Sequence, residues 1–397
     1  MLHPFQAAYY SAKHRPRLAD LTVSDLDTAE HLWGGPDYSR AFRNVLVGFP
    51  EQRGEAWQAW ISGGDIELSD DPSFYALHQR QEVDGQAVDR WAVYVALDVH
   101  EPQLFVHEDV LTEGVERARQ GTEACEADMA PIFVGCEESI GGELHAILEG
   151  ACQGRKAMLS FSSEKYGHHS VWDLTDPAFT KKIQALFSGA PLFLLDGHHR
   201  LAAAKENARV GLGDGKILAC ICSMARSDTL ILPIHRAVHY ERWMLPEVLL
   251  ADLERSGCRI SEPEELRVGN IAEFLASYQS SEPHCVVLHS HHEKPRLVHL
   301  PRAQKEVPEL QMLPVACLDF AVLNQHAQIT AIPVSGLALL LEQLALDQAQ
   351  VGFFLPASTP AQVRAIALGR SRMPRKSTRF VPKPTLGLLC RPWVSSG

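Results

Sequence analysis

The chain has 397 residues, a formal net charge of -12, 46% hydrophobic residues and 22% charged residues. Those proportions belong to a globular protein long enough for two or three packed subdomains, and they exclude disordered and fibrous classes. The acidic balance argues against a general nucleic-acid binder, whose phosphate-facing surface must be basic, although a local basic patch can still hold a small anion.

The start, Met1-Leu2-His3-Pro4-Phe5, turns polar before an apolar core develops, so no secretory leader is expected. No run approaches the ~20 apolar residues that span a bilayer. The best stretch, Gly336 to Leu346, is interrupted by Glu342 and Gln343. Nine cysteines without a Cys-x-x-Cys pair read as reduced, structural residues, with Cys220 and Cys222 on one face of a strand. The expectation is a cytoplasmic protein with no membrane partner.

In chain order, Ser73 to His78 and Trp91 to Leu97 have strand character, and the polar turn between them contains Asp84-Gly85, a hairpin signal. Val110 to Ala130 reads as a helix and Pro131 to Gly135 as a short buried strand. A short helix is expected over Glu143 to Glu149, after Gly141-Gly142. Thr175-Asp176-Pro177 carries helix-start chemistry. Pro191 to Leu195 is an unbroken apolar run, as in a strand covered on both faces. Leu201 to Val210 is an alanine-rich helix ending at Gly211, and Lys216 to Met224 another buried strand, which together suggest a right-handed crossover unit. Helices are then expected over Glu247 to Arg255 and Ile271 to Tyr278, with a strand at Cys285 to Leu288. Leu337, Leu340, Leu341 and Leu344 mark an amphipathic helix with a plain packing face.

Asp196-Gly197-His198-His199-Arg200 joins that apolar strand to its helix, which puts the carboxylate at the strand's carboxyl end, where α/β proteins bind ligands. Gly197 permits a backbone conformation or close approach that a side chain would block. His198, His199 and Arg200 fall in the first helical turn, where unpaired N–H groups and the dipole disfavour cations by ~0.3–1 kcal/mol each. A bound anion reverses that sign, and Arg200 could grip it through two parallel hydrogen bonds. Two other readings remain open: Asp196 as a simple N-cap beside surface histidines, and a zinc site, for which no His-Glu-x-x-His or cysteine pair is present.

Further candidates are His235-Arg236 in Leu232-Pro233-Ile234-His235-Arg236, and Glu108, which follows the apolar run Leu104-Phe105-Val106. Arg370, Arg372, Arg375, Lys376, Arg379 and Lys383 form a basic cluster that a polyphosphate would complement. It lacks the glycine pattern of a Walker A loop.

Leu195 to Arg200 with its alanine-rich helix, then Leu232 to Arg236, then Met373-Pro374-Arg375-Lys376-Ser377-Thr378 with Pro382-Lys383 and Gly387-Leu388, resembles the bacterial and archaeal family called domain of unknown function 1015. Ser73-Phe74-Tyr75, His107-Glu108 with Arg117, and Ala130 to Phe133 fit the same pattern, while Gly34-Gly35-Pro36-Asp37-Tyr38 stands in altered order where that family has Pro-Tyr-Asp. The central turn is also similar to that of the ParB and sulfiredoxin superfamily, whose free serine kinases carry Asp-Gly-His-His-Arg.

The resemblance implies a mixed α/β (α+β) fold. Residues 1–100 would form an N-terminal subdomain and 101–240 a ParB/sulfiredoxin-like phosphate-binding domain. Residues 241–397 would form a C-terminal subdomain with the basic loop 370–383. It also implies a kinase using ATP or ADP with Mg²⁺ to phosphorylate a small hydroxylated metabolite, L-serine first. Asp196 would hold Mg²⁺ or orient the hydroxyl, Glu108 would be the general base, and His198 would join them in catalysis. Gly197, His199, Arg200, His235, Arg236, Lys376, Ser377 and Thr378 would bind phosphates. The alternatives are a non-catalytic nucleotide-binding regulator of ParB-like type and a metal-dependent hydrolase. Partners would be the nucleotide and the metabolite, with no nucleic acid and with homo-oligomerisation left open.

Overall fold

The structure, a computed structural model, describes residues 1–23, 41–46, 49–164, 166–225, 227–241, 245–290, 294–305, 307–325 and 328–393. Gly34 to Tyr38 lies outside the described residues. The chain is mixed α/β and forms two compact units. The first comprises residues 1–106, 110–230 and 380–397, the second 107–109 and 231–379. The boundary expected at residue 100 falls inside the first unit, because strands on both sides of it pair in one sheet.

That sheet contains β1 (Phe74–Val83), β2 (Gln86–Asp98), β3 (Leu104–Phe105), β4 (Ile132–Cys136), β5 (Leu159–Ser163), β6 (Gly167–Leu174), β7 (Leu192–Asp196) and β8 (Lys216–Ser223). They lie in the order β3-β7-β4-β8-β2-β1-β6-β5. β1 and β2 form the expected hairpin, with Tyr75 opposite Tyr94 and Val83 opposite Gln86. Asp84 and Gly85 both take positive φ, 49° and 71°, which is the two-residue turn whose twist matches paired strands. Trp91 to Leu97 is buried throughout, as a central strand covered on both faces must be.

Helix α1 (Thr112–Cys125) ends where Glu126 turns left-handed, at φ 48°. Helix α2 (Glu138–Cys152) runs straight through Gly141-Gly142, where the sequence suggested a later start. A Cβ at Gly141 would lie 2.3 Å from Ser223 Cβ, so this glycine permits helix-on-strand contact and does not break the helix. Helix α3 (Pro177–Leu186) starts as expected, with the Asp176 side chain accepting from the Ala178 N–H at 2.8 Å. Leu97, Ile132, Leu144, Leu194, Leu201 and Ile221 share the unit's main core cluster.

The crossover expectation is corrected by the topology. β4 lies between β7 and β8, antiparallel to β7 and parallel to β8. β7 and β8 therefore run in opposite directions, and helix α4 (His198–Arg209) between them does not close a parallel unit. Apolar runs buried on both faces look the same in either direction, so strand polarity was not encoded in the pattern that located them.

In the second unit, β9 (Leu230–Tyr240), α5 (Pro246–Arg255), β10 (Arg259–Ser261), α6 (Ile271–Ser277), β11 (His284–His289) and β12 (Arg296–His299) come first. β13 (Ile329–Ser335), α7 (Leu337–Ala345) and β14 (Val351–Phe354) follow. The strands lie in the order β10-β12-β11-β14-β9-β13. Leu340 and Leu344 of α7 are buried in the core with Val286 and Phe354, as their spacing predicted. All nine cysteines are free and buried. Among the described residues, no helix is long and apolar enough to cross a membrane.

Candidate functional site

β7 delivers Asp196 to the end of the first sheet with about a third of its side chain (32%) exposed. Gly197 then takes φ 97°, a conformation that strains any residue with a Cβ. Space forbids one too, since a Cβ there would stand 2.9 Å from Ile132 Cγ2 and 3.0 Å from Arg200 Nη2. α4 opens at His198 with no side-chain cap, so its first-turn N–H groups lack the usual side-chain acceptor.

Two cations hold Asp196. Arg200 Nη2 donates to Oδ2 at 2.5 Å, and Lys383 Nζ stands 3.1 Å from Oδ1. Burial pushes the carboxyl's pKa upward, but the charges of Lys383 and Arg200, with His198 contributing, outweigh it and hold the group well below the ordinary carboxylate range. Among the described residues, Arg200 Nη1 is buried without a hydrogen-bond partner. Such an unmet donor costs about 1–3 kcal/mol until an acceptor reaches it.

His199 is used differently. Its Nε2 accepts a hydrogen bond from the Leu111 N–H at 3.0 Å, and Leu111 is the N-cap residue of α1. The ring packs so closely over α1 that a Cβ on Gly114 would come within 2.4 Å of His199 Cδ2. His199 thus caps one helix while belonging to the first turn of another. That role had no signal in the motif itself, because the capped N–H lies 88 residues away.

Lys383 reaches Asp196 because the C-terminal segment returns to the first unit. Leu386 N donates to Val23 O at 2.7 Å and Cys390 N to Ala8 O at 2.9 Å. Thr385 Oγ1 bonds His169 Nε2 at 2.9 Å, and Arg391 pairs with Asp128 and Asp214 at 2.8 and 2.9 Å. Next to Lys383, the Pro382 carbonyl accepts from Arg90 Nη1 at 2.7 Å. Arg90 is fully buried, lies over the Phe133 ring, and donates through Nη2 to Gln79 Oε1. The sequence placed Lys383 in the basic cluster without assigning it a contact; the two flanking prolines were the visible sign of a fixed segment.

The remaining candidates lie in the second unit. Arg236 is buried, and all three of its nitrogens donate. Nε and Nη2 bond the Asp319 carboxylate at 3.1 and 2.7 Å, while Nη1 bonds Lys376 O at 3.1 Å and Nη2 also reaches Arg375 O at 3.4 Å. His235 accepts from the Leu355 N–H through Nδ1 at 3.1 Å. Burial, then the Arg236 charge, lowers its pKa to about 4, so it is neutral near pH 7. The Lys376 N–H donates to Glu108 Oε1 at 2.9 Å, and the Met373 N–H to His107 O at 2.8 Å. Thr378 Oγ1 bonds His107 Nε2 at 3.2 Å, and Ser377 Oγ donates to Pro374 O. This unit therefore joins Glu108, Arg236, Lys376, Ser377 and Thr378 around the 373–378 loop. Arg375 and the Lys376 side chain are exposed there.

The first-unit turn fits an anionic polyphosphate: a helix N-terminus without a side-chain cap, a glycine permitting close approach, an unmet guanidinium donor and two cations on one carboxylate. It does not form a resident metal site. Both Asp196 oxygens face cations, and among the described residues no group of three or more His, Cys, Asp or Glu could hold a metal.

Among solved structures, the chain is similar to a free serine kinase in complex with AMP (15% identity, 74% of this chain and 88% of that one, TM-score 0.38). It is also similar to a variant of a free serine kinase in complex with ADP (14%, 77% and 90%, 0.39). SbnI with a C-terminal truncation, from Staphylococcus aureus, is a further match (12%, 72% and 82%, 0.40). No curated protein matches the chain. The family model described as "Protein of unknown function (DUF1015)" matches residues 50–321, more than half of the chain, and the chain belongs to that family.

Proposed function

We propose that this protein is a nucleotide-dependent phosphotransferase that moves a phosphoryl group from ATP or ADP to the hydroxyl of a small metabolite, with free L-serine the first candidate acceptor and O-phosphoserine its product. The observation that carries the reading is the convergence of Arg200 and Lys383 on Asp196 at an uncapped helix N-terminus, with Arg200 Nη1 left without an acceptor among the described residues. Such a site binds phosphate oxygens. Serine as acceptor rests on the sequence pattern Asp196-Gly197-His198-His199-Arg200 and not on geometry.

Phosphoryl transfer needs chiefly positioning and neutralisation of charge. Arg200 and the first-turn N–H groups of α4 bind the transferred or adjacent phosphates, and Gly197 lets the backbone approach them. Asp196, kept ionised by its two cations, accepts a hydrogen bond from the acceptor hydroxyl and orients it. Glu108 is assigned the hydroxyl proton on the sequence resemblance alone, and His198 the charge that develops beside Asp196. Mg²⁺, when it accompanies the nucleotide, supplies further neutralisation of phosphate charge.

The test is incubation of the protein with Mg²⁺, γ-labelled ATP and L-serine, with β-labelled ADP in parallel. Labelled O-phosphoserine from ATP, or AMP formation with ADP, supports the kinase. Tight nucleotide binding with no transfer to any hydroxyl acceptor would leave a non-catalytic nucleotide-binding regulator in its place.

A further inference from the structure

We propose that Lys383 is a polyphosphate-binding residue of the Asp196 turn, with Asp196 as its counter-ion and Arg90 as the residue that positions its segment. This rests on reading the turn as a phosphate site and adds to it a ligand from the far end of the chain.

Charge is the first argument. Two cations, Arg200 at 2.5 Å and Lys383 at 3.1 Å, face the single carboxylate of Asp196. Both stand at a helix N-terminus, which disfavours cations. A structural ion pair requires only one cation; a multiply charged anion accounts for both. The second argument is placement. Lys383 lies between Pro382 and Pro384, and Arg90 holds the Pro382 carbonyl. Arg90 is fully buried and no carboxylate pairs with it among its described hydrogen bonds, a costly use of a guanidinium. Its contacts fix the backbone beside Lys383 to the strand pair β1–β2. Lys383 keeps 22% of its side chain exposed, so the ammonium can meet a ligand from solvent. The chemistry selected is a chain of two or more phosphates, free or attached to a nucleoside.

Titration calorimetry on the full chain tests this with ATP, ADP and inorganic tripolyphosphate, each with and without Mg²⁺. Lys383→Met is expected to weaken every polyphosphate by about 10-fold or more, the scale of one charge-assisted hydrogen bond. The same variant should flatten the salt dependence of binding, and Lys383→Arg should restore most of the affinity. Loss of tripolyphosphate binding together with ATP binding identifies the phosphate chain as the recognised part; loss of ATP binding alone overturns that assignment. If Lys383→Met binds like wild type while Arg200→Met does not, the inference fails and the phosphate-site reading stands. If the wild type binds no polyphosphate, that reading fails and the inference with it.

A second measurement needs no variant. An ATP acyl phosphate acylates an amine beside its phosphates, an amide forming as ATP leaves. Mass spectrometry should find ATP-suppressible acylation at Lys383, and its absence there overturns the proposal.

Discussion

Two arginine–aspartate pairs in this protein have the same chemistry and opposite uses. In the second unit, Arg236 spends every nitrogen on Asp319 and on carbonyls of the 373–378 loop, and only 2% of the residue is exposed. In the first, Arg200 meets Asp196 through one nitrogen, keeps another without a partner among the described residues, and shares the carboxylate with Lys383. A saturated pair holds a loop; an unsaturated pair with a second cation and an exposed edge is suited to bind. The residue types alone do not distinguish them, and the count of unmet donors does.

The largest effect is expected where binding and chemistry coincide. Asp196→Ala should lower labelled phosphoserine formation by about 10³-fold, the scale of losing one preorganised electrostatic group, with the fold retained by circular dichroism. An equal rate in the variant would remove Asp196 from the mechanism.

Stability should separate the pairs next. Arg236→Met leaves the Asp319 carboxylate and two loop carbonyls without their donor, and should cost about 3–5 kcal/mol in urea unfolding. Arg200→Met should cost less than about 1 kcal/mol, because its partner keeps Lys383, yet weaken ATP binding by about 10-fold or more. Equal destabilisation by both would erase the contrast.

Acid should strain both units together. Burial, then the charges of Arg90 and His168, lowers the pKa of His169 in the first unit to about 3; His235 in the second is lowered to about 4. A histidine depressed in the folded state contributes stability that is fully present above its unfolded value of ~6.5 and is lost as pH falls toward the folded one. Each group should therefore remove about 1.4 kcal/mol per pH unit from near pH 6 down to its folded value. His235→Phe should flatten that slope in denaturation curves taken from pH 7 to 4.5; an unchanged slope would assign the lability elsewhere.

A smaller effect is expected at the packing of α1 against α4. Gly114→Ala puts a methyl into the His199 ring and should cost about 1–3 kcal/mol, with loss of nucleotide affinity if the ring's displacement moves the turn. The smallest is Asp176→Ala, an ordinary cap removal worth about 1 kcal/mol with no change in binding.

Much of this was legible in the residues because it depends on short-range rules. Two apolar runs on either side of the polar turn at Asp84-Gly85 specify a hairpin, Thr175-Asp176-Pro177 specifies a helix start, and Leu337 to Leu344 specifies a buried helical face. The Asp196 turn was visible for the same reason: strand end, glycine and helix start are encoded within six residues. Tertiary structure decided what depends on distant partners. β4 enters between β7 and β8 and reverses the expected strand relation, since burial on both faces carries no direction. Gly141 serves contact with Ser223, and His199 caps α1. Lys383 comes to Asp196 from 187 residues away in sequence (383 minus 196) through a segment tied down by Arg90, His169 and Arg391. A local motif can mark where an anion would sit, but the charge around it is assembled by chain closure, which no window of sequence contains.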